Sequence, residues 1–236
     1  MPKFQELSEF AEAIAPVINA AHVNVHASAV RAVADLTAAS GFTPGLLSDL
    51  RFSLPLRPLP RSGLAVLFRY ADPEPDVRDH LRQGTLAEDG DGVLRLTDAG
   101  RTFIHRLYEL HEAAVGRVWA GGDLASAADL VGRVLDTADR LPGGAFELVS
   151  PPYEPAGASP GLLLFNRLAV LRYHRADAHA AAWQAAGLSA AEIVRLEDGP
   201  LRAQIEADTN RRAGQAYRIL PERERHVLYE TLLKLI

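Results

Sequence analysis

Cysteine is absent from the 236-residue chain, which excludes disulfides, thiolate nucleophiles and cysteine-ligated zinc or iron–sulfur centres. Lysine is nearly absent as well. Lys3 and Lys234 are the only two, so arginine carries almost all of the positive charge. No apolar run approaches the about 18 residues that would read as a membrane span. The opening MPKFQELSEF lacks the apolar core of a signal peptide, so a cytoplasmic address and no membrane partner are expected. A surplus of positive charge is also missing. The formal net charge is −5, shared between the halves: residues 1–120 hold 12 basic and 15 acidic side chains, residues 121–236 hold 13 and 15. This balance argues against the broad basic face of a dedicated nucleic-acid binder, although a dimer can still present a local basic groove.

What is present is helical periodicity. Phe4, Leu7, Phe10, Ile14, Ile18, Val25 and Ala29 recur at three- and four-residue spacing, with a break or kink expected near residues 12–16 because Pro16 lacks a donor. Gly41 closes this segment. Thr43 reads as the cap of a short helix with Pro44 in its first turn. Residues 54–63, LPLRPLPRSG, read as an extended connector. Two short helices follow at 62–71 and 72–84, the second capped by Asp72. Residues 85–97 predict a hairpin turning at Asp89-Gly90 or Asp91-Gly92, and 98–120 a long helix. Helix, turn, helix, hairpin and helix is the winged variation of the helix-turn-helix. Asp123 caps a helix to about Leu141, residues 142–160 form a long loop, and helices are expected at 161–186, 189–197, 200–218 and 221–235. The fold class expected is mainly α, with two winged-helix-related lobes, 1–141 and 161–236. Only the N-terminal lobe keeps a small β-hairpin wing.

On a wheel, the 161–186 helix places Arg172, Arg175, His179 and Trp183 in the same sector as Leu164, Leu168 and Leu171, while Asp177 and Val170 point the other way. An arginine on an apolar meridian is snorkelled, paired or facing a hollow. The plain reading pairs Arg175 with Glu206 or Asp208. The functional reading is a pocket for a small anionic or aromatic ligand, with Arg172 and Arg175 as charge partners, Trp183 as a wall and the 142–160 loop as cover. His174 and Asp177, three apart, can share a hydrogen bond.

His22 and His26, four apart, could begin a metal site if His80, His105 or His111 supplied a third ligand. The HExxH pattern is absent, and paired polar groups at a helix or dimer interface are the competing reading, so no metal is expected. No nucleophile elbow and no phosphate-cradling glycine loop occurs, so no catalytic residues and no cofactor are expected, and enzymatic activity stays an open alternative. For DNA, Arg78, Arg82 and Arg95 suit phosphate or guanine contacts, yet Glu74, Asp76 and Asp79 and an acidic wing tip oppose them.

LRYHRADAHAAAWQAAGLSAAEI at 171–193 carries the most distinctive resemblance. Looser ones lie in APVINAAHVNVHA, containing His22, and in ADTNRRAGQAYRILPERERHVLYETLLKL. In these runs the chain resembles helical, winged-helix-type bacterial proteins of largely unassigned function that are grouped with MarR-type regulators. The resemblance implies a homodimer, possible binding of double-stranded DNA, and a characteristic site at Arg172, His174, Arg175, Asp177 and His179. The chain departs from it in lacking a wing in its C-terminal half.

Overall fold

The computed structural model describes residues 4–236. It is mainly helical, with one small three-stranded antiparallel sheet. The first helix, α1 (Leu7–Ser40), runs 34 residues without interruption. The break expected at Pro16 does not occur. Pro16 is exposed, so water reaches the Glu12 carbonyl that proline leaves without a donor. On the opposite face Phe10, Ile14, Val17, Ile18 and Val25 are buried. At about 1.5–3 kcal/mol for each large apolar side chain, that face outweighs the ~3 kcal/mol penalty of one internal proline. The helix starts in a capping box between Glu6 and Glu9 and ends at Gly41, whose φ of 72° suits a residue without Cβ.

In α2 (Gly45–Asp49), Pro44 rather than Thr43 is the N-cap. Thr43 instead donates through its backbone N–H and its hydroxyl to Gln83 Oε1. The proline-studded connector is not extended throughout: backbone bonds to Leu50 and Ser53 carbonyls wind residues 50–57 into turns. Only β1 (Leu59–Pro60) is extended enough to join the sheet. Next come α3 (Arg61–Leu67) and α4 (Glu74–Arg82), where Asp72 Oδ1 accepts from the Glu74 N–H at 3.0 Å. Strands β2 (Leu86–Glu88) and β3 (Val93–Leu96) form the expected hairpin, with Ala87 opposite Arg95. β1 adds to the other edge of β3, giving the order β1-β3-β2.

The long helix α5 (Asp98–Val118) is capped by Thr97. It buries Phe103, Ile104, Leu107 and Val115, whereas Leu110 and Val118 are only half-buried. Asp123 caps α6 (Leu124–Thr137), which ends four residues before Leu141. The 142–160 stretch is not structureless, because it contains α7 (Ala145–Val149). The chain finishes with α8 (Pro160–Ala185), α9 (Ala190–Arg195), α10 (Pro200–Gly214), a 3-10 turn (Gln215–Ile219) and α11 (Glu222–Leu233). Among the described residues of 161–236 there is no strand.

Residues of 1–141 and of 161–236 contribute to one apolar cluster running from Phe10 through Phe165 to Leu232. Within it α1 packs against α5, α8, α10 and α11. A small satellite of Trp183, Ile193 and Ile205 sits toward the C-terminal end of α8. No helix among the described residues is long and apolar enough to cross a membrane.

Candidate functional site

The axis of the site is α8. Ser159 caps it by accepting from the Leu162 N–H at 3.2 Å, and Pro160 occupies the first turn, where a missing donor is harmless. The helix is buried on both sides, by Leu164, Leu168 and Leu171 on one and by Val170, Asp177 and Ala178 on the other. Arg172 lines the expected hollow together with Arg175, but from its exposed rim and not from the interior. It stays exposed and lies along α1, with Nε donating to Asn19 Oδ1 at 2.8 Å and Nη1 3.0 Å from His22 Nδ1. Arginine can only donate, so Nδ1 of His22 is the acceptor and the ring proton sits on Nε2.

Arg175 meets Glu206 at 3.5 Å through Nη2, the limit of a hydrogen bond, while Nη1 is buried with no partner. His179 Nδ1 lies 3.2 Å from Thr209 Oγ1 and 3.7 Å from Glu206. These groups line a cavity of about 320 Å³ between α1, α8 and α10, with Tyr70 and Tyr217 as aromatic walls. The pairing of Arg175 with Glu206 was legible in the sequence, and the hollow beside it exists too. Burial holds the His179 imidazole below its ordinary range, with Glu206 opposing the shift.

The other residues of the run have different neighbours. Asp177 is buried, and its carboxylate takes Arg69 Nη2 at 2.5 Å together with the backbone N–H groups of Ala145 and Phe146 at 3.0 and 2.8 Å. The hydrogen bond expected with His174 is replaced by these three donors. His174 reaches the cavity wall and sets its ring edge-on to Phe146 at 5.2 Å. Trp183 is not a wall of this cavity; its Nε1 donates to Tyr70 Oη at 3.2 Å. The 142–160 stretch does not cover the cavity either, because Asp177 anchors α7 on the opposite side of α8. Arg69 and Tyr70, just beyond α3, therefore join the helix–hairpin segment to α8, and Tyr70 also faces the cavity.

A second hollow, about 280 Å³, opens between α1, the α2–β1 connector and α8, and shares Arg172 and Ala176 with the first. Arg51 lines it and is 1% exposed. Arg51 Nη1 donates to the Ser48 carbonyl at 2.7 Å, but Nε and Nη2 have no partner. Its guanidinium stands 4.5 Å from the Phe165 ring centre and 5.4 Å from that of Phe52. No carboxylate among the described residues comes within ion-pair distance of it. Cation–π contacts supply about 2 kcal/mol when desolvated, whereas burying a lone ion costs several kcal/mol. Arg51 is under-compensated.

Against the same Phe165 ring stand His22, His26 and His111, with centroids 4.8, 5.1 and 5.0 Å away. His22 Nε2 and both nitrogens of His111 are buried without partners. Burial first and the charge of Arg51 second depress all three imidazoles: His22 well below its ordinary range, His26 to about 3 and His111 to about 2. Of the candidate third histidines, the fold brings His111 to the pair. His80 is held instead by Thr85 and His105 by Tyr153. Even so, no group of three or more potential ligands among the described residues is placed to hold a metal ion.

On the helix–hairpin segment, Arg82 is ion-paired with Asp79, and Arg95 with Asp89 at 3.2 Å. Arg61 is held by Glu74 and Glu88, while Arg78 is exposed on α4. Comparison of the chain with protein-family models, curated proteins and solved structures finds no match.

Proposed function

We propose that this protein is a transcriptional-regulator-like ligand sensor on a winged-helix scaffold, in which the cavity between α1, α8 and α10 takes a small anionic or aromatic molecule. The observation that carries this reading is Arg175 Nη1, buried and unpartnered beside that cavity, since such a donor leaves unmade a charge-assisted hydrogen bond that an anion could supply. The strand order β1-β3-β2, with α3 and α4 inserted between β1 and β2, supports the winged-helix assignment, and with it the resemblance to the MarR-type group. The contacts Arg69–Asp177 and Trp183–Tyr70 give a ligand a route to that segment. In the cytoplasm such a protein would work as a homodimer. Val23 and Val30, exposed and seven residues apart on α1, lie on one face that a second copy could cover.

A second reading, ligand binding without DNA contact, is favoured by Arg82 and Arg95 being tied to carboxylates of their own segment. Two experiments separate the readings. Ligand screening by thermal shift on the native chain and on Arg175→Ala should find stabilising anions or aromatic acids whose effect the variant loses while remaining folded; an unfolded variant would make Arg175 structural. A gel shift with the upstream DNA at low and moderate salt should show salt-dependent binding for a regulator. No shift at either salt leaves the second reading.

A further inference from the structure

We infer that the hollow beside Arg51 is a separate carboxylate-binding site, in which the Nε/Nη2 edge of Arg51 receives the two oxygens of a small monocarboxylate and Arg172 guards the entrance. This stands apart from the ligand reading of the α1/α8/α10 cavity. Nε and Nη2 are the nitrogens without partners, and on a guanidinium they form one edge with parallel N–H bonds, the spacing that a carboxylate matches in a bidentate pair. Arg51 is fully buried, Nη1 is committed to the Ser48 carbonyl, and the two flanking phenylalanine rings restrict its plane. Its plane is therefore fixed before any ligand arrives, and a carboxylate reaches the unused edge, itself buried, by displacing the side chains that close it from the hollow.

Charge fixes the class further. The hollow is lined by two permanent cations, Arg51 and Arg172, and by the carboxylate of Asp49. With His22, His26 and His111 neutral, the local balance is one positive charge, which a monoanion cancels and a dianion overshoots. Phe52, Tyr173, Ala169 and Ala176 line it as well, so the carboxylate would be carried on an apolar or aromatic body. Burial pushes the Tyr173 phenol up to about 12, so it adds no charge and remains a donor. His22 Nε2, also buried and unpartnered, is a further donor in the same wall.

The test is calorimetric titration of sodium benzoate into the full chain, with inorganic phosphate as a separate arm. The variants are Arg51→Met, Arg51→Lys and Arg175→Ala. Saturable benzoate binding that Arg51→Met abolishes, that Arg51→Lys weakens tenfold or more by removing the parallel edge, and that Arg175→Ala leaves intact is the expected result. Should Arg51→Met fail to fold, Arg51→Lys and the rim variant Arg172→Gln carry the comparison, each with weaker binding expected. Absence of saturable binding, or binding indifferent to Arg51→Lys and Arg172→Gln, overturns the site. Saturable phosphate binding in place of benzoate overturns the carboxylate assignment. Loss on Arg175→Ala with retention in the Arg51 variants moves the ligand to the other cavity and overturns this one.

Discussion

Lowering the pH from 7.5 to 5.5 should destabilise this protein through three imidazoles. His22, His26 and His111 all have folded-state values depressed below 6.5, to about 3 for His26 and about 2 for His111. A depressed base is neutral in both states above pH 6.5, where stability is complete. As the pH falls from 6.5 toward those folded values, the unfolded chain takes up a proton that the folded chain refuses, and stability is lost. At pH 5.5 His26 and His111 then each cost about 1.4 kcal/mol, so the two remove about 3 kcal/mol, and His22 acts in the same direction. That is a large share of the roughly 5–15 kcal/mol of a typical domain. Ordinary carboxylates hardly contribute, since pH 5.5 is still about a unit above their unfolded values. His80, His174 and His179 are shifted the same way, so a variant is needed to isolate the cluster. Urea unfolding of the native chain and His111→Leu at both pH values provides it. The variant should lose about 1.4 kcal/mol less than the native chain between pH 7.5 and 5.5. Equal losses in the two proteins would refute the buried neutral imidazole.

Three further outcomes follow from single contacts. Asp177→Ala strips the α7 N–H groups of their acceptor and leaves Arg69 unpaired, and should cost about 3–5 kcal/mol in a denaturant melt; a loss below about 1 kcal/mol would mean that water replaces the carboxylate. Gly100→Ala places a Cβ 2.0 Å from the Thr85 carbonyl oxygen, so α5 must withdraw from the hairpin at about 1–3 kcal/mol. Hydrogen exchange in residues 85–97 should quicken with it, and unchanged protection there would count against the contact. Asp79→Asn with Asp89→Asn frees Arg82 and Arg95; if α4 and the hairpin meet DNA, affinity rises and the salt slope steepens by about 2, while an unchanged slope removes both arginines from a DNA interface.

Much of the fold was legible because its signals are local. Asp123 caps the helix it precedes, and the acidic, glycine-containing turn before Val93 closes the hairpin. Pro16 misled because its penalty is local whereas the burial that overrides it comes from α8, α10 and α11, far along the chain. Asp177 misled for a related reason. A helical wheel places it opposite the leucines of α8, but the far side of α8 is covered too, so the carboxylate became an anchor for α7. Arg172 and Arg175 were separated by what faces them, Asn19 and His22 for one and Glu206 for the other, which no spacing within α8 encodes. Arg51 gave no signal at all. In LSDLRFSLP it looks like a surface arginine, and only Phe165, more than a hundred residues later, makes it interior.

The tie between Asn24 Nδ2 and the Leu235 carbonyl spans 211 positions, and with it α1 rests on α10 and α11. During synthesis the flank of α1 that these two helices cover must therefore wait, even after α5 and α8 have emerged, until α10 and α11 too have left the ribosome. Assembly is slow where partners are so distant, and at about 5–20 residues per second the wait is on the order of ten seconds or more. A chaperone that shields helices in that interval would protect the uncovered flank from aggregation.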